Sequence, residues 1–384
     1  MVSVNDWIKL YRRRYYAAGE GSEHPIDRLV DAVESTVSVG VRKLCCQLGI
    51  AGRSFALSVQ NLKEAAQVSL SEETFRRVVE SEGKAVLKVS KDDQLELDWS
   101  AAECKTTTPQ GAEVSRLNVS ADGVLVPTTT QVEKAKRRAT VLAKRQKMPP
   151  EKRRALRRLG AVKAGSDQRY KQVYVTCLYD QKREHRLLGV TRKKHRELGK
   201  LLKREAARVH LRAADERVGL VDGAVCLRRH LEDLPLQVIL LDFHHLGEHV
   251  NNASRKTLGE RTAAGKQWSD DLLHTLRHQG YAPAFQKLVE WRSGLRGQKR
   301  KVADTLLNYV AERREMIVYE QCDQHGWDVG TGPMESMCGV LTDRIKGRGR
   351  RWDHDNAEAV MALEALRQSN LWDKYWSKAL CSQN

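Results

Sequence analysis

The sequence predicts an α/β chain: a mixed sheet flanked by helices, interrupted by an all-helical stretch and preceded by a mainly helical N-terminal region. Three observations carry this. In the segment 217–249 the apolar run Val218–Val221 ends at Asp222-Gly223, a helix is expected over Ala224–His230, and a second run, Val238–Leu241, ends at Asp242. Short apolar runs separated by a helix indicate parallel strands buried on both faces. In such sheets polar chemistry sits just beyond the carboxyl ends of the strands. An earlier run, Leu117–Val126, alternates apolar and polar residues and is broken by Asp122-Gly123, an ordinary hairpin signal taken alone. Beyond Val250 only helical stripes recur, with Trp268, Leu272, Leu273 and Leu276 on one and Leu306, Leu307 and Val310 on another.

The remaining elements follow in order. Residues 1–20 suit a docking helix with Trp7, Tyr11 and Tyr15 on one stripe, beside Arg12-Arg13-Arg14. From Pro25 to Glu82 the pattern is helical, with breaks at 49–52 and near Val68. Ser69 and Glu72 make a capping box for a helix Glu72–Glu82 that Gly83 ends. Short helices with tight turns suit a helix-turn-helix, with Glu72–Glu82 as the reading helix. A β-hairpin turning at Asp92-Asp93 is expected over 84–98, then a polar linker over 100–114. Residues 133–158 hold 12 Lys/Arg against two acids, around Pro149-Pro150. They read as two basic helices or a disordered arm, and so large an excess points to phosphate contact. A strand follows at 171–178 and a basic amphipathic helix over Arg192–Arg212. Near the end, Gly330-Thr331-Gly332-Pro333 opens a helix with proline at its favoured first position. Met334, Cys338, Leu341 and Ile345 form its apolar stripe, and Glu335 sits one step off it in the first turn. A helix Asn356–Gln368 and a Trp372/Tyr375/Trp376 cluster close the chain.

Composition narrows the class. The 384 residues carry a formal net charge of +18, which points to an acidic partner, most commonly nucleic acid. Residues 1–115 hold 15 Lys+Arg against 17 Asp+Glu, so the excess lies in the remainder. Eight cysteines without a C-x-x-C pair argue against a disulfide framework and a zinc ribbon, and fit a reducing cytosol. The N-terminus is too polar for a signal peptide and no run is long enough to span a membrane. A cytoplasmic chain without membrane contact is expected.

Asp122 on an early strand, Asp222 at the end of a later one and Glu335 on a late helix bring three carboxylates to one sheet edge. Such a set can hold two divalent ions for in-line phosphodiester displacement, and oxygen-only ligands suit Mg2+, with Mn2+ able to substitute.

This order resembles the ribonuclease H-like DDE transposases of bacterial insertion sequences, and more narrowly the Mutator-like groups whose core is split by an all-helical insertion before the Glu. Those groups carry a C/D-x-x-H motif after the second Asp, matched here by Asp242-Phe243-His244-His245. The tail is similar too, in GlyThrGlyProMetGluSer at 330–336, ArgGlyArgArgTrp at 348–352 and LeuTrpAspLysTyrTrp at 371–376. The resemblance covers about 115–380 well and the N-terminal region loosely. It departs in one respect: many relatives carry a cysteine-rich motif near the N-terminus, and this chain lacks it.

The resemblance implies a helical DNA-binding region over 1–99, a first part of the core over 115–245 with a basic insert at 131–169, an all-helical insertion over 246–328, and a last part of the core over 329–384. It implies Asp122, Asp222 and Glu335 as catalytic metal ligands and Asp242 and His245 as accessory groups. Asp222 is preferred to Asp242 as the second Asp because Asp242 already has a place in the D-x-x-H pattern. Arg137, Arg138, Arg153, Arg154, Arg348, Arg350, Arg351 and Trp352 are expected to touch DNA. The activity implied is strand cleavage at transposon ends followed by 3′-OH transfer into target DNA, by a dimer or higher oligomer on the DNA, in a bacterial cytosol. Two other readings stand beside it. One is a catalytically silent DNA-binding regulator of the same fold. The other is a zinc peptidase, since His245-Leu246-Gly247-Glu248-His249 spells H-x-x-E-H.

Overall fold

The computed structural model describes residues 37–381, except 155, 157 and 158, together with four short strands near the N-terminus. Those strands pair as two antiparallel ladders, β1 (Val2–Ser3) with β2 (Asp6–Trp7) and β3 (Tyr15–Ala17) with β4 (Gly21–Glu23). Trp7 and Tyr15 therefore lie on strands, not on the expected helix. The aromatic pair Tyr15-Tyr16 close to Gly19 and Gly21 favours extended backbone. Tyr11 and Arg12–Arg14 fall outside the described residues. Among the described residues no helix is long and apolar enough to cross a membrane.

The chain forms two compact units. One comprises Met1–Leu95, Gly123–Val173 and Gly339–Asn384, and the other Glu96–Asp122 and Tyr174–Cys338. The second holds the body of a mixed sheet built from β5 (Lys105–Thr107), β6 (Glu113–Pro127), β7 (Tyr170–Asp180), β8 (Arg186–Thr191), β9 (Glu216–Val221) and β10 (Val238–Leu241). The order is β10-β9-β6-β7-β8, with β5 also on β6. Strands β6, β9 and β10 are mutually parallel, whereas β7 and β8 form an antiparallel hairpin. The expected runs at 218–221 and 238–241 are thus neighbouring parallel strands, joined by the helix Val225–Glu232. Their side chains Val218, Leu220, Leu240 and Leu241 are fully buried, as are Leu117 and Val119 of β6. Two strands, β5 and β8, escape the sequence reading. Asp122-Gly123 makes no hairpin, because β6 runs straight through it.

The helix His195–Arg208 turns Leu198, Leu202 and Ala206 inward, along with one carboxylate, Glu205. Gly189 of β8 makes room for it, since a Cβ there would lie 1.9 Å from Glu205 Oε1. Burial pushes the Glu205 carboxyl from 4.5 up to about 7, against the Thr176 hydroxyl that donates to it. The folded-state value exceeds the unfolded one, so the native chain binds the extra proton between these values. Stability therefore falls as pH rises through that window. Glu205→Gln is expected to leave stability near pH 4 unchanged and to raise it near pH 8 by roughly 1–3 kcal/mol. Urea midpoints at the two pH values test this, and an equal shift at both would contradict it.

Beyond β10 four helices, Phe243–Leu258, Ala263–His278, Tyr281–Ser293 and Gly297–Glu312, pack on one another, and Tyr319–His325 packs on the second of them. The all-helical stretch is therefore present. Arg116, buried on β6, ties its far end to the sheet: it pairs with Glu216 at 2.6 Å and donates to the carbonyls of His325 and Gly326.

The first unit opens with three helices, Val39–Ala51, Phe55–Ala66 and Glu72–Lys91, each N-capped by a serine. Ser38, Ser54 and Ser71 accept the amides of Val41, Leu57 and Thr74, satisfying donors that a helix start leaves open. The third cap is Ser71, not Ser69. That helix runs through Gly83 to Lys91, so no hairpin forms over 84–98. Gly83 is buried mid-helix, where it does not act as a terminator: a Cβ there would lie 2.2 Å from the carbonyl oxygen of Ala359 on the helix His354–Gln368. Beside it, buried Glu82 accepts from Arg42 at 2.8 Å and from the Tyr375 hydroxyl at 2.9 Å. The basic segment forms two helices, Gln131–Gln146 and Pro150–Arg154, with no buried residue on either.

Candidate active site

The ladder registers bring the aspartates to one level. Ser120 pairs with Leu220, and Val221 with Leu241. Continuing these registers sets Asp122 beside Asp222 and Asp222 beside Asp242, on strands about 4.8 Å apart. Asp222 follows the last residue of β9, and its Oδ1 accepts the Ala224 amide at 3.0 Å. The intervening Gly223 has φ +94°, and a Cβ on it would lie 2.7 Å from the Tyr309 hydroxyl. Left-handed backbone and crowding together require glycine. The Asp-Gly pair is a strand terminus that aims a carboxylate, not a hairpin.

Glu335 lies in the first turn of the helix Gly332–Asp343 and is exposed. One turn on, Cys338 places its sulfur 3.6 Å from Asp122 Oδ2, so this helix packs against β6 at the aspartate. Glu335 Oε1 lies 3.4 Å from the Thr331 hydroxyl.

Asp242 has a different part. It is 1% exposed, and both of its oxygens are engaged. Oδ1 caps the helix Phe243–Leu258 through the His245 amide at 2.7 Å, while Oδ2 accepts the amide and the hydroxyl of Thr331, each at 2.5 Å. Burial opposes the charge, yet the Thr331 and His245 donors hold the Asp242 pKa below the ordinary carboxylate value. A depressed value means that this contribution is full above the unfolded pKa and is lost as pH falls through the folded one. Asp242→Ala is expected to cost about 2–4 kcal/mol near neutral pH, from a lost cap and a buried charged acceptor. The loss should shrink below about pH 3; a pH-independent loss would contradict it.

Sequence reasoning missed the groups delivered from the helical stretch. Arg313 donates to the Gly223 carbonyl through Nε and Nη2, and its guanidinium lies 3.9 Å from the Tyr309 ring centre. The Tyr309 hydroxyl is buried without a hydrogen-bond partner among the described residues. Burial pushes its pKa up to about 12, with Arg313 opposing and the Asp222 and Asp242 carboxylates adding. His249 stacks on Tyr309 at 3.9 Å. Nothing local marks Tyr309 and Arg313, which meet Asp222-Gly223 only through tertiary folding, whereas His249 was noted only as part of H-x-x-E-H.

Among the described residues one set of three His, Cys, Asp or Glu side chains has ligand atoms within 4.8 Å of one another: Asp180, Glu184 and His185, at the β7–β8 turn. Asp122, Asp222 and Glu335 do not meet that closely. A two-ion site spreads its ligands over two centres about 3.5–4 Å apart, so its carboxylates need not converge on one point. His245, Glu248 and His249 form no such set either. His245 and His249 share a helix face with ring centres 5.5 Å apart, and His245 faces Glu248 at 3.6 Å.

The residues expected to touch DNA separate into groups. Arg137, Arg138, Arg350, Arg351 and Trp352 line one pocket of the first unit. Arg153 and Arg154 stand exposed on the helix Pro150–Arg154, and Arg348 is exposed in the turn before Trp352. Trp352 is 6% exposed, its Nε1 donates to the Ile345 carbonyl, its ring meets Phe55 edge-on, and Arg344 lies over it at 5.1 Å. Its ring is thus largely packed within the fold. No protein-family model matches the chain, and no curated protein matches it.

Proposed function

We propose that the chain is a DDE transposase with a ribonuclease H-like core, cleaving strands at transposon ends and transferring the 3′-OH into target DNA. One observation carries the reading. Three neighbouring parallel strands each present an aspartate at one level, in the order β8-β7-β6-β9-β10, and the Glu335 helix packs against the first of them at Asp122. The chain order of strand-Asp, strand-Asp, helical excursion and Glu on a helix supports the reading, since it is the order on which the resemblance to the Mutator-like groups rests.

The donor set fits hard divalent ions. Asp122, Asp222 and Glu335 offer only oxygen, and the cysteine nearest them is a buried residue of the helix packing face. When bound, Mg2+ or Mn2+ supplies Lewis acidity to the attacking and leaving oxygens. The chain's own residues do the rest. Asp222 is held by the Ala224 amide, Asp242 fixes Thr331 at the start of the helix that carries Glu335, and Arg313 holds the Gly223 carbonyl so that Asp222 keeps its direction. The excess positive charge beyond residue 115 holds the polyanion.

The test is strand cleavage of DNA carrying the ends of the element that encodes the chain. Cleavage should require Mg2+ or Mn2+ and stop on chelation, while gel-shift binding persists. Cleavage that survives chelation would overturn the reading, and binding without cleavage under any ion would favour the silent regulator.

A further inference from the structure

The pocket of the first unit differs from a solvated basic surface. It encloses about 560 Å³, well within the range of small-ligand sites. Part of its lining is a buried arginine. Arg344 is 7% exposed, donates from Nε to the Gly49 carbonyl at 2.8 Å and lies 4.5 Å from the Phe55 ring centre. Its neighbour Arg350 donates to the carbonyls of Asp343 and Arg344. Neither arginine has a carboxylate partner among the described residues, whereas Lys134 and Arg351, in the same lining, are paired with Asp353 and Glu133. Burial and the adjacent Arg350 charge hold the Arg344 pKa down to about 10. Two adjacent guanidinium groups, one of them buried, are costly unless an anion joins them.

Beside these and other charged groups, among them Glu72, Glu80 and Asp353, three aliphatic residues of the lining argue against a bare anion. Val141, Leu159 and Val162 also line the pocket, and Val141 and Val162 remain 41% and 51% exposed. Sulfate or phosphate gains nothing from such a wall. A phosphate carrying a flat heterocycle uses both sides.

We propose that this pocket takes one nucleotide, its phosphate on Arg344 and Arg350 and its base against Val141 and Val162. The inference rests on the nucleic-acid reading only for the source of that nucleotide; a strand segment and a free nucleoside monophosphate share the chemistry. Because the apolar part of the lining is the aliphatic set Val141, Leu159 and Val162 and the Trp352 ring is covered, the base is gripped by shape and apolar contact, with little discrimination among bases.

The experiment uses the full chain and a fluorescein-labelled decathymidylate strand read by anisotropy, with dCMP and inorganic phosphate as competitors. Direct dCMP binding is followed by saturation-transfer NMR. The expected result is that dCMP binds and that phosphate competes at least about tenfold less well. Arg350→Ala and Val141→Glu should each weaken dCMP binding by about tenfold with unchanged thermal unfolding, the second being a substitution on a helix without buried residues. Competition between dCMP and the strand assigns the pocket to a strand nucleotide, whereas dCMP binding without competition assigns it to a free nucleotide. Phosphate competing as well as dCMP, or Val141→Glu without effect, would overturn the proposal. Asp222→Asn should bind dCMP as the wild type does, so failure of the cleavage reading and failure of the pocket are read separately.

Discussion

Asp222→Asn is expected to lower divalent-ion-dependent strand cleavage by about 10³-fold or more, the several kcal/mol that a metal-bound carboxylate contributes to the transition state. Affinity for the same DNA should stay at the wild-type value. Asparagine is the informative substitution. Its carbonyl can still accept the Ala224 amide, so the strand end keeps its shape, while the negative charge and one ligand oxygen are lost. Nicking of a supercoiled plasmid carrying the ends, in Mn2+, reads the rate, and gel shift reads the affinity. A wild-type nicking rate would remove Asp222 from the site and leave Asp242 as the second aspartate to test.

Gly83→Ala should be strongly destabilising for a single-methyl change. By helix propensity alone, alanine mid-helix gains about 1 kcal/mol over glycine. Here the methyl would sit 2.2 Å from the Ala359 carbonyl oxygen and 2.6 Å from its carbon, which are backbone atoms that no rotamer change can move aside. The helices Glu72–Lys91 and His354–Gln368 must separate, loosening Val79 and Val86, which are buried on the same face. Overpacking of this kind costs about 1–3 kcal/mol before any loss of burial, so the net change is expected to be destabilising by about 2 kcal/mol or more. Gly339→Ala is the control. It lies in the helix Gly332–Asp343 with nothing within 4 Å of the added Cβ, and it should gain about 0.5–1 kcal/mol. Urea midpoints at constant slope measure both. A neutral or stabilising Gly83→Ala would show that the helix contact yields easily.

The sequence was most legible where burial imposes a period. Val218–Val221 and Val238–Leu241 are bounded apolar runs, and they are neighbouring parallel strands with the expected helix between them. Glycine was least legible, because one residue serves opposite ends. At Gly83 it permits a close helix crossing inside a helix. At Gly123 it lies within a strand, and at Gly223 it adopts the left-handed backbone that ends one. Read locally, all three look like terminators or turns. The packing of Trp352 was not legible either: beside its arginines it was expected to touch DNA, and its indole N–H has a partner within the fold while Arg344 lies over its ring. The positions of Asp222 and Glu335 were legible because a strand end and a Pro-started helix have local signatures, whereas Asp122 lies inside β6. Tyr309 and Arg313 were not legible, since Arg313 reaches Gly223 across 90 positions of sequence.

The double grip on Asp242 has a topological consequence. The Phe243 amide donates to the Val329 carbonyl at 2.8 Å, and Thr331 closes on the carboxylate one residue earlier. The helical excursion therefore leaves and rejoins the core through a neck two hydrogen-bonded residues wide. The two ends of the excursion thus lie one hydrogen bond apart, while Arg116 and Arg313 bind its interior to the sheet. Excursions anchored this way can lengthen, shorten or be exchanged at small entropic cost, since closure entropy grows only with the logarithm of length. Its interior is a different matter: removal at the neck would take Tyr309 and Arg313 from Gly223 and leave buried Arg116 without the His325 and Gly326 carbonyls to which it donates.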